Sequence, residues 1–216
     1  MSDAVNYAVA MSFRLILVRH GETDWTRDGR YAGSRDVVLN ALGIRQCQAT
    51  ATALAERSMA AVYATPLERA RTSAEIVAKP HRLAVFVESR FREMSFGAWE
   101  GLTRDEAAAA FPEICRLWWN TPHLAQIPGA ETLGDVRARV LAGLGELRAA
   151  HDGETVVLVT HGVVVRLLVL DALGLGADRL WALEASPAGI TELEYEADWA
   201  TIHRMNTLVH LDGLST

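Results

Sequence analysis

Two apolar runs in this chain end in the same way. Phe13 to Val18 leads into Arg19-His20-Gly21, and Thr155 to Thr160 leads into His161-Gly162. A short run that is apolar on both faces fits a strand covered by helices on either side, and such strands build parallel sheets. Open parallel sheets bind ligands in the crevice outside the carboxyl ends of their strands. Each run therefore carries a histidine to the edge where an α/β protein does its chemistry. Residues 61–64 and 83–87 are two further strand candidates, and 189–195 with 198–205 read as a terminal hairpin.

Helical patterns fill the intervals. Ile44, Cys47, Ala51 and Leu54 step by three and four along one apolar face, as do Leu133, Val136, Val140, Leu144 and Leu147. Thr132 and Asp135 can cap the second of these. Thr65-Pro66-Leu67-Glu68 predicts a helix start, with Thr65 as N-cap, Pro66 first in the helix and Glu68 closing a capping box. Val163 to Leu173 is apolar nearly all round and should be buried. The expected fold is a three-layer α/β/α sandwich with a mostly parallel central sheet. Residues 103–128, with an Ala-rich stretch, Pro112, Trp118, Trp119 and Pro122, break the alternation. They read as a helical excursion over the site within a single domain, 13–216. Residues 1–12 read as a flexible tail, with Met11 as an alternative start.

Half of the 216 residues are apolar, enough for a sizeable core. The formal charge of -6 argues against nucleic acid, whose partners carry a basic face. It leaves room for an anionic substrate, because a local cationic pocket focuses its own field. No run of about 18 apolar residues suggests a membrane span, and the N-terminus lacks the regions of a secretory signal. Cys47 and Cys115 are too few for a disulfide framework, which fits a reducing, cytoplasmic setting. Cys47 falls on an apolar helix face and is expected in the core, and the Asp and Glu excess near the C-terminus on a solvated face.

The helix after the second strand places Arg69 beside the same edge, so Arg19, His20, Arg69 and His161 are expected to share one crevice. Two arginines beside two histidines repel a divalent metal but suit a phosphate dianion, which guanidinium forks bind bidentately. No metal or cofactor is expected. Each cation at contact distance contributes roughly 1–4 kcal/mol of attraction for effective dielectric constants of about 80 to 20. A neutral imidazole is nucleophilic near neutral pH, and a covalent adduct splits one displacement into two. The leaving alkoxide needs a proton. Glu93 in Arg92-Glu93-Met94-Ser95 is the candidate, since a carboxylate facing a dianion tends to hold a proton it can donate. Glu100 and Glu22 are the substitutes, although Glu22 fits better as an orienter of loop backbone. His81, His151, His203 and His210 belong to no partner pattern.

These residues resemble a known family. Arg19-His20-Gly21-Glu22-Thr23 is similar to the signature of the histidine phosphatase superfamily, which has the phosphoglycerate mutase-like fold. Gly33, Asp36, Leu39 and Gly43 resemble the segment that follows it. Pro66 to Ala74 looks like the family's second arginine motif, Phe91 to Gly101 its acid segment, and Val159 to Val164 its second-histidine motif. The resemblance covers about Phe13 to Leu170 in the family's order. It implies that His20 is the phosphorylated nucleophile and Glu93 the proton donor. Arg19, Arg69 and His161 then form the phosphate pocket, with Thr26, Gly33 and Gly162 as further phosphate or substrate contacts. Two departures concern substrate contacts: Thr26 stands where Asn is frequent, and Ala32 where Gln or Thr often precedes the glycine.

Within the family the chain is most similar to broad-specificity phosphatases, and α-ribazole phosphatases share much of the pattern. Glu93 and His161 lie 68 positions apart, short for the mutase branch, and Gly162-Val163-Val164 lacks the Asn-Ser usual there. The expectation is a metal-independent phosphoric monoester hydrolase of the histidine acid phosphatase type, acting through a phosphohistidine. Its partner would be a small-molecule phosphate monoester rather than nucleic acid or a membrane, and a homodimer is left open. Two alternatives stand beside this. One is phosphoglycerate mutase-type transfer, and the other is a phospho-ligand binding protein with little turnover. Trp118 and Trp119 would either offer an apolar surface to aryl or other hydrophobic leaving groups, with His123 facing it, or only pack the excursion onto the body.

Overall fold

A computed structural model of the chain describes residues 12–197 and 199–214; the tail expected at 1–12 lies outside them except for Ser12. In chain order the strands and helices are β1 (Phe13–Arg19), α1 (Asp24–Arg27), α2 (Ala41–Leu54), β2 (Ala61–Ala64), α3 (Glu68–Ala78), β3 (Val85–Val87), α4 (Arg104–Ala110), α5 (Pro112–Asn120), α6 (Leu133–Ala150), β4 (Thr155–Thr160), α7 (Gly162–Ala172), β5 (Ile190–Glu196) and β6 (Trp199–Thr207). They form one six-stranded sheet in the order β3-β2-β4-β1-β5-β6. The first four strands of that order are parallel, and the terminal hairpin adds β5 antiparallel to β1.

β1 shows why both faces are covered. Leu15 and Leu17 point into a core shared with α6, α7 and the excursion, while Ile16 and Val18 point into a second core with α2 and α3. The two-residue period of the strand splits one apolar run between two layers. The connection after β1 goes to the α2–α3 face and the one after β4 to the α6–α7 face. Their neighbouring carboxyl ends therefore form a topological switch point, where such sheets bind ligands.

Several local expectations are corrected. α3 begins at Glu68, not at Thr65, and its cap position, Leu67, has no side-chain capping bond. Asp36 Oδ1 instead accepts from the Glu68 amide at 2.7 Å, so a distant loop satisfies that helix end. α2 starts at Ala41 behind an Asn40 cap, and its buried face is Gly43, Cys47, Thr50, Ala51 and Leu54; Ile44 is exposed. Glu192 is buried, not solvated, because Arg14, Arg57 and Arg204 surround its carboxylate. The expected caps of α6 are present as a capping box between Thr132 and Asp135. α7 is buried almost throughout, and Cys47 lies in the interior. Among the described residues no helix is long and apolar enough to cross a membrane.

Candidate active site

Arg19 and Thr160 are partners in the β1–β4 register, and the His20 amide donates to Thr160 O at 2.9 Å. The two histidines that follow these strand ends are thus held side by side, with ring centroids 5.2 Å apart. Both are buried. Gly21 follows His20 because the loop rests on the first turn of α2: a Cβ there would lie 2.5 Å from Gly43 O.

His20 Nδ1 lies 2.7 Å from Gly21 O. A carbonyl only accepts, so Nδ1 carries the proton and Nε2 keeps its lone pair. Arg69 Nε donates to that lone pair at 3.3 Å. Burial, followed by the charges of Arg69 and Arg19, holds the His20 imidazole well below its usual pKa. Burial and the same two arginines, together with His20, do this for His161.

His161 Nε2 is 2.8 Å from the Thr65 hydroxyl, so the residue expected to cap α3 instead lies buried against the second histidine. His161 Nδ1 is buried and has no partner among the described residues, and the same holds for Arg19 Nε. Arg19 Nη1 donates to Ala185 O at 2.6 Å, and burial lowers this guanidinium to about 10, opposed by the charge of Glu93. Arg69 is anchored by Arg35 O at 2.7 Å and Gly33 O at 2.8 Å. Gly33 has φ +51, and a Cβ there would lie 2.3 Å from Glu100 Oε1, so the position calls for glycine.

A cleft of about 180 Å³ opens over His20. Arg19, His20, Thr26, Gly33, Arg69, Glu93 and Gly162 line it; His161 stands behind His20 and outside the wall. Thr26 is held in the first turn of α1, its hydroxyl 2.9 Å from that of Thr23. Glu93 Oε1 accepts from the Met94 amide at 3.0 Å. Its segment is fastened from below, since Arg139 donates to the carbonyls of Arg90, Arg92 and Glu93 and pairs with Glu131. Glu131 in turn accepts from the Ser95 amide, and Thr160 Oγ1 donates to Phe91 O. The two substitute carboxylates are occupied elsewhere. Glu100 accepts from Ser34 and the Phe96 amide, and Glu22 from Asn40.

Among the wall residues not expected from the sequence are Arg30, Tyr31, Arg104, Arg166 and Trp181. A signal existed for Arg166, because His-Gly followed by Arg four residues later puts both on one helix face. Its Nη1 donates to Gly162 O at 3.2 Å. Nothing local marks the others, which arrive from separate elements. Neither Trp118 nor Trp119 lines the cleft. Trp118 is fully buried against Phe96, Trp99 and Trp181, so its part is to pack the excursion. His123 is exposed and also outside the wall. His151, His203 and His210 bond to Glu154, Glu194 and Thr50 respectively, away from the site.

With five arginines and one glutamate in its wall, the cleft is a cationic pocket on a chain of net charge -6. A family model described as histidine phosphatase superfamily (branch 1) matches residues 15–208. Phosphoserine phosphatase 1 of Hydrogenobacter thermophilus is 33% identical over 198 residues, covering 92% of this chain and 94% of that protein. The structure of Bacillus stearothermophilus YhfR superposes with a TM-score of 0.88 at 30% identity, covering 93% of this chain and all of the other. A mycobacterial glucosyl-3-phosphoglycerate phosphatase, solved in complex with VO3, gives 0.83 at 30% identity over 90% of this chain and 99% of its own.

Proposed function

From the premise that this chain belongs to the histidine phosphatase superfamily (branch 1), we propose that its phosphatase activity proceeds by phosphoryl transfer to His20 Nε2, with Glu93 as proton donor. The observation that carries this is the bond from His20 Nδ1 to Gly21 O. It leaves a neutral ring with its other nitrogen, as a lone pair, directed among Arg69, Arg19 and His161.

The steps balance as follows. The Nε2 lone pair forms a bond to phosphorus while the P–O bond to the leaving alcohol breaks, and Glu93 gives its proton to that oxygen. Water then attacks the phosphohistidine, the P–N bond breaks, and Glu93 takes the proton of the water. Inorganic phosphate leaves and His20 returns to its neutral form. Arg19 and Arg69 stabilise the equatorial oxygens, where charge is spread in the transition state. Arg19 Nε and His161 Nδ1 are the donors still free to do so. Thr26, Gly33 and Gly162 complete the pocket wall around the ester.

The guanidiniums of Arg19 and Arg69 supply the positive charge that phosphatases of other kinds obtain from a metal, and they would repel one. This favours metal-independent chemistry of the histidine acid phosphatase type. The small cleft, and relatives named for phosphoserine and glucosyl-3-phosphoglycerate, favour small phosphorylated molecules as substrates. Residues 13–216 act as one domain, and the excursion contributes Arg104 to the mouth of the cleft. The unpaired, buried Cys47 and Cys115 fit a reducing, cytoplasmic setting.

Acid-free quenching during turnover of p-nitrophenyl phosphate, followed by mass spectrometry, should find acid-labile phosphate on His20. The His20→Ala variant should show neither adduct nor turnover. Turnover without an adduct on His20 would overturn the mechanism. Isomerisation of phosphoglycerate faster than its hydrolysis would move the chain to the mutase reading.

A further inference from the structure

The end of β1 that carries Arg19 and His20 is braced by a turn just before β5, residues 185–189. Ala185 O accepts from Arg19 Nη1 at 2.6 Å, and Gly189 O accepts from the Arg19 amide at 3.3 Å. The Ala188 amide donates to Arg19 O at 3.0 Å and to His20 O at 3.2 Å. One turn thus grips Arg19 by its guanidinium, its amide and its carbonyl, and reaches the nucleophile's own carbonyl as well. Ala188 is fully buried with φ +55, a left-handed conformation that strains a residue with a Cβ. Such strain persists where the surroundings hold it in place.

Two side chains from the C-terminal hairpin and the segment after it do the holding. The β5–β6 register shifts between the pairs Glu192–Arg204 and Ile190–Thr207, so that Thr191 faces both Met205 and Asn206. A bulge of this kind re-aims a side chain. Asn206 takes φ +47 there, a conformation that asparagine tolerates. Its Oδ1 accepts from the Ser186 amide at 2.8 Å, and its Nδ2 donates to Ser186 Oγ at 3.2 Å. Gly189 leaves the room for this contact, since a Cβ there would lie 2.3 Å from Asn206 Oδ1. His210 Nε2 lies 3.1 Å from both Ala188 O and Thr50 Oγ1. The Thr50 hydroxyl gives its own hydrogen to Gln46 O, and a carbonyl only accepts, so Nε2 carries the hydrogen and ties the turn to α2.

We propose that Asn206 and His210 are positioning residues for the phosphoryl transfer, which fix Arg19 and His20 relative to each other through the 185–189 turn. This rests on the reading of the cleft as a phosphatase site. Neither side chain lines the cleft, so any effect on the reaction passes through the turn. A drifting Arg19 can follow a tetrahedral phosphate and still bind it. The same drift costs the transition state more, because its equatorial oxygens need donors already in place. Loosening the turn therefore lowers kcat while KM stays nearly constant.

The test measures kcat and KM for p-nitrophenyl phosphate, and by calorimetry the Kd of inorganic phosphate and of orthovanadate, which becomes trigonal-bipyramidal on a nucleophile. Asn206→Gly keeps the left-handed backbone without strain and removes only the bonds to Ser186. Its kcat should fall roughly tenfold with KM within about twofold, and vanadate should weaken by the same factor while phosphate holds. Asn206→Asp, which still accepts from the Ser186 amide, should recover most of the loss. His210→Leu leaves the bonds of Asn206 in place and should lower kcat by about threefold, with His210→Gln, an N–H donor of similar reach, close to the wild type. Should Asn206→Gly fail to fold, the His210 pair decides by the same readouts. Unchanged kcat in Asn206→Gly and His210→Leu, or vanadate and phosphate weakening together, would overturn the positioning role. Absence of p-nitrophenyl phosphate turnover in the wild type would count against the phosphatase reading, and the ratio of vanadate to phosphate affinity across the variants would then decide the role of the turn.

Discussion

His20 donates a hydrogen bond from Nδ1–H to Gly21 O at 2.7 Å, the carbonyl of the next residue in the chain. That bond orients the ring and selects its tautomer, so the nitrogen with the lone pair is the one that meets Arg69. In the proposed mechanism, a nucleophile prepared in this way by backbone needs no separate general base. Burial then keeps the ring neutral against the pull of solvent, and the neighbouring guanidiniums act in the same direction. In the proposed mechanism, the environment that binds the anion thus also preserves the nucleophile.

This environment makes stability depend on pH in a definable window. His20 and His161 both have folded-state pKa values well below the ordinary one, with burial the first cause. Below about 6.5 the unfolded chain binds protons that the folded chain refuses, so stability falls as pH drops from there toward the folded values. Above that window neither state binds these protons and the term is absent. Each ring contributes at most about 1.4 kcal/mol per pH unit. Denaturant midpoints at pH 7 and pH 5 should show a shallower loss in His20→Asn and His161→Asn than in the wild type; an unchanged loss would contradict the assignment.

Thr65 fixes the second ring. Its hydroxyl lies 2.8 Å from His161 Nε2, and in the proposed mechanism it donates there, which leaves Nδ1–H for the phosphate. Thr65→Val keeps the shape and leaves Nε2 buried without a partner, at a cost of about 1–3 kcal/mol. We expect kcat/KM to fall roughly tenfold or more, with Thr65→Ser close to the wild type. Full activity in Thr65→Val would remove this residue from the site.

Glu93→Gln should slow hydrolysis most for poor leaving groups, because a good one departs without a proton. For alkyl phosphates the loss should reach about a hundredfold. For p-nitrophenyl phosphate it should be far smaller. Equal slowing across a series of leaving groups would take the acid role from Glu93.

Arg139 gives an independent check on that role. It does not itself line the cleft but donates to the carbonyls of Arg90, Arg92 and the wall residue Glu93. Arg139→Met breaks a largely buried pair with Glu131 and should destabilise the fold by about 3 kcal/mol. In the fraction that remains folded, kcat should fall more than KM changes, and the dependence on leaving group should steepen as it does in Glu93→Gln. Loss of stability with an unaltered leaving-group dependence would show that the clamp is structural only.

Much of this site was legible along the chain. A short apolar run that ends in His-Gly encodes both a buried strand and the residue at its carboxyl edge, because strand geometry is local. Arg69 was legible for a related reason: it follows a strand by a fixed, short connection. Thr65 was misread by the same local logic. Its sequence neighbours make a cap, but β4 brings His161 within 2.8 Å, and a buried imidazole without a partner costs more than a helix end another loop can satisfy.

Local spacing along the chain accounts for the strands, the two histidines, the arginines beside them and the family, since each depends on one short segment at a time. Long-range packing sets which nitrogen of His20 is free, what supports Glu93, and that Arg104, Trp119, Trp181 and Arg166 form a single stack. The four stacked residues come from α4, α5, the segment before β5, and α7. Their contact follows from how the excursion packs on the α6–α7 face, and no periodicity within any one segment records it.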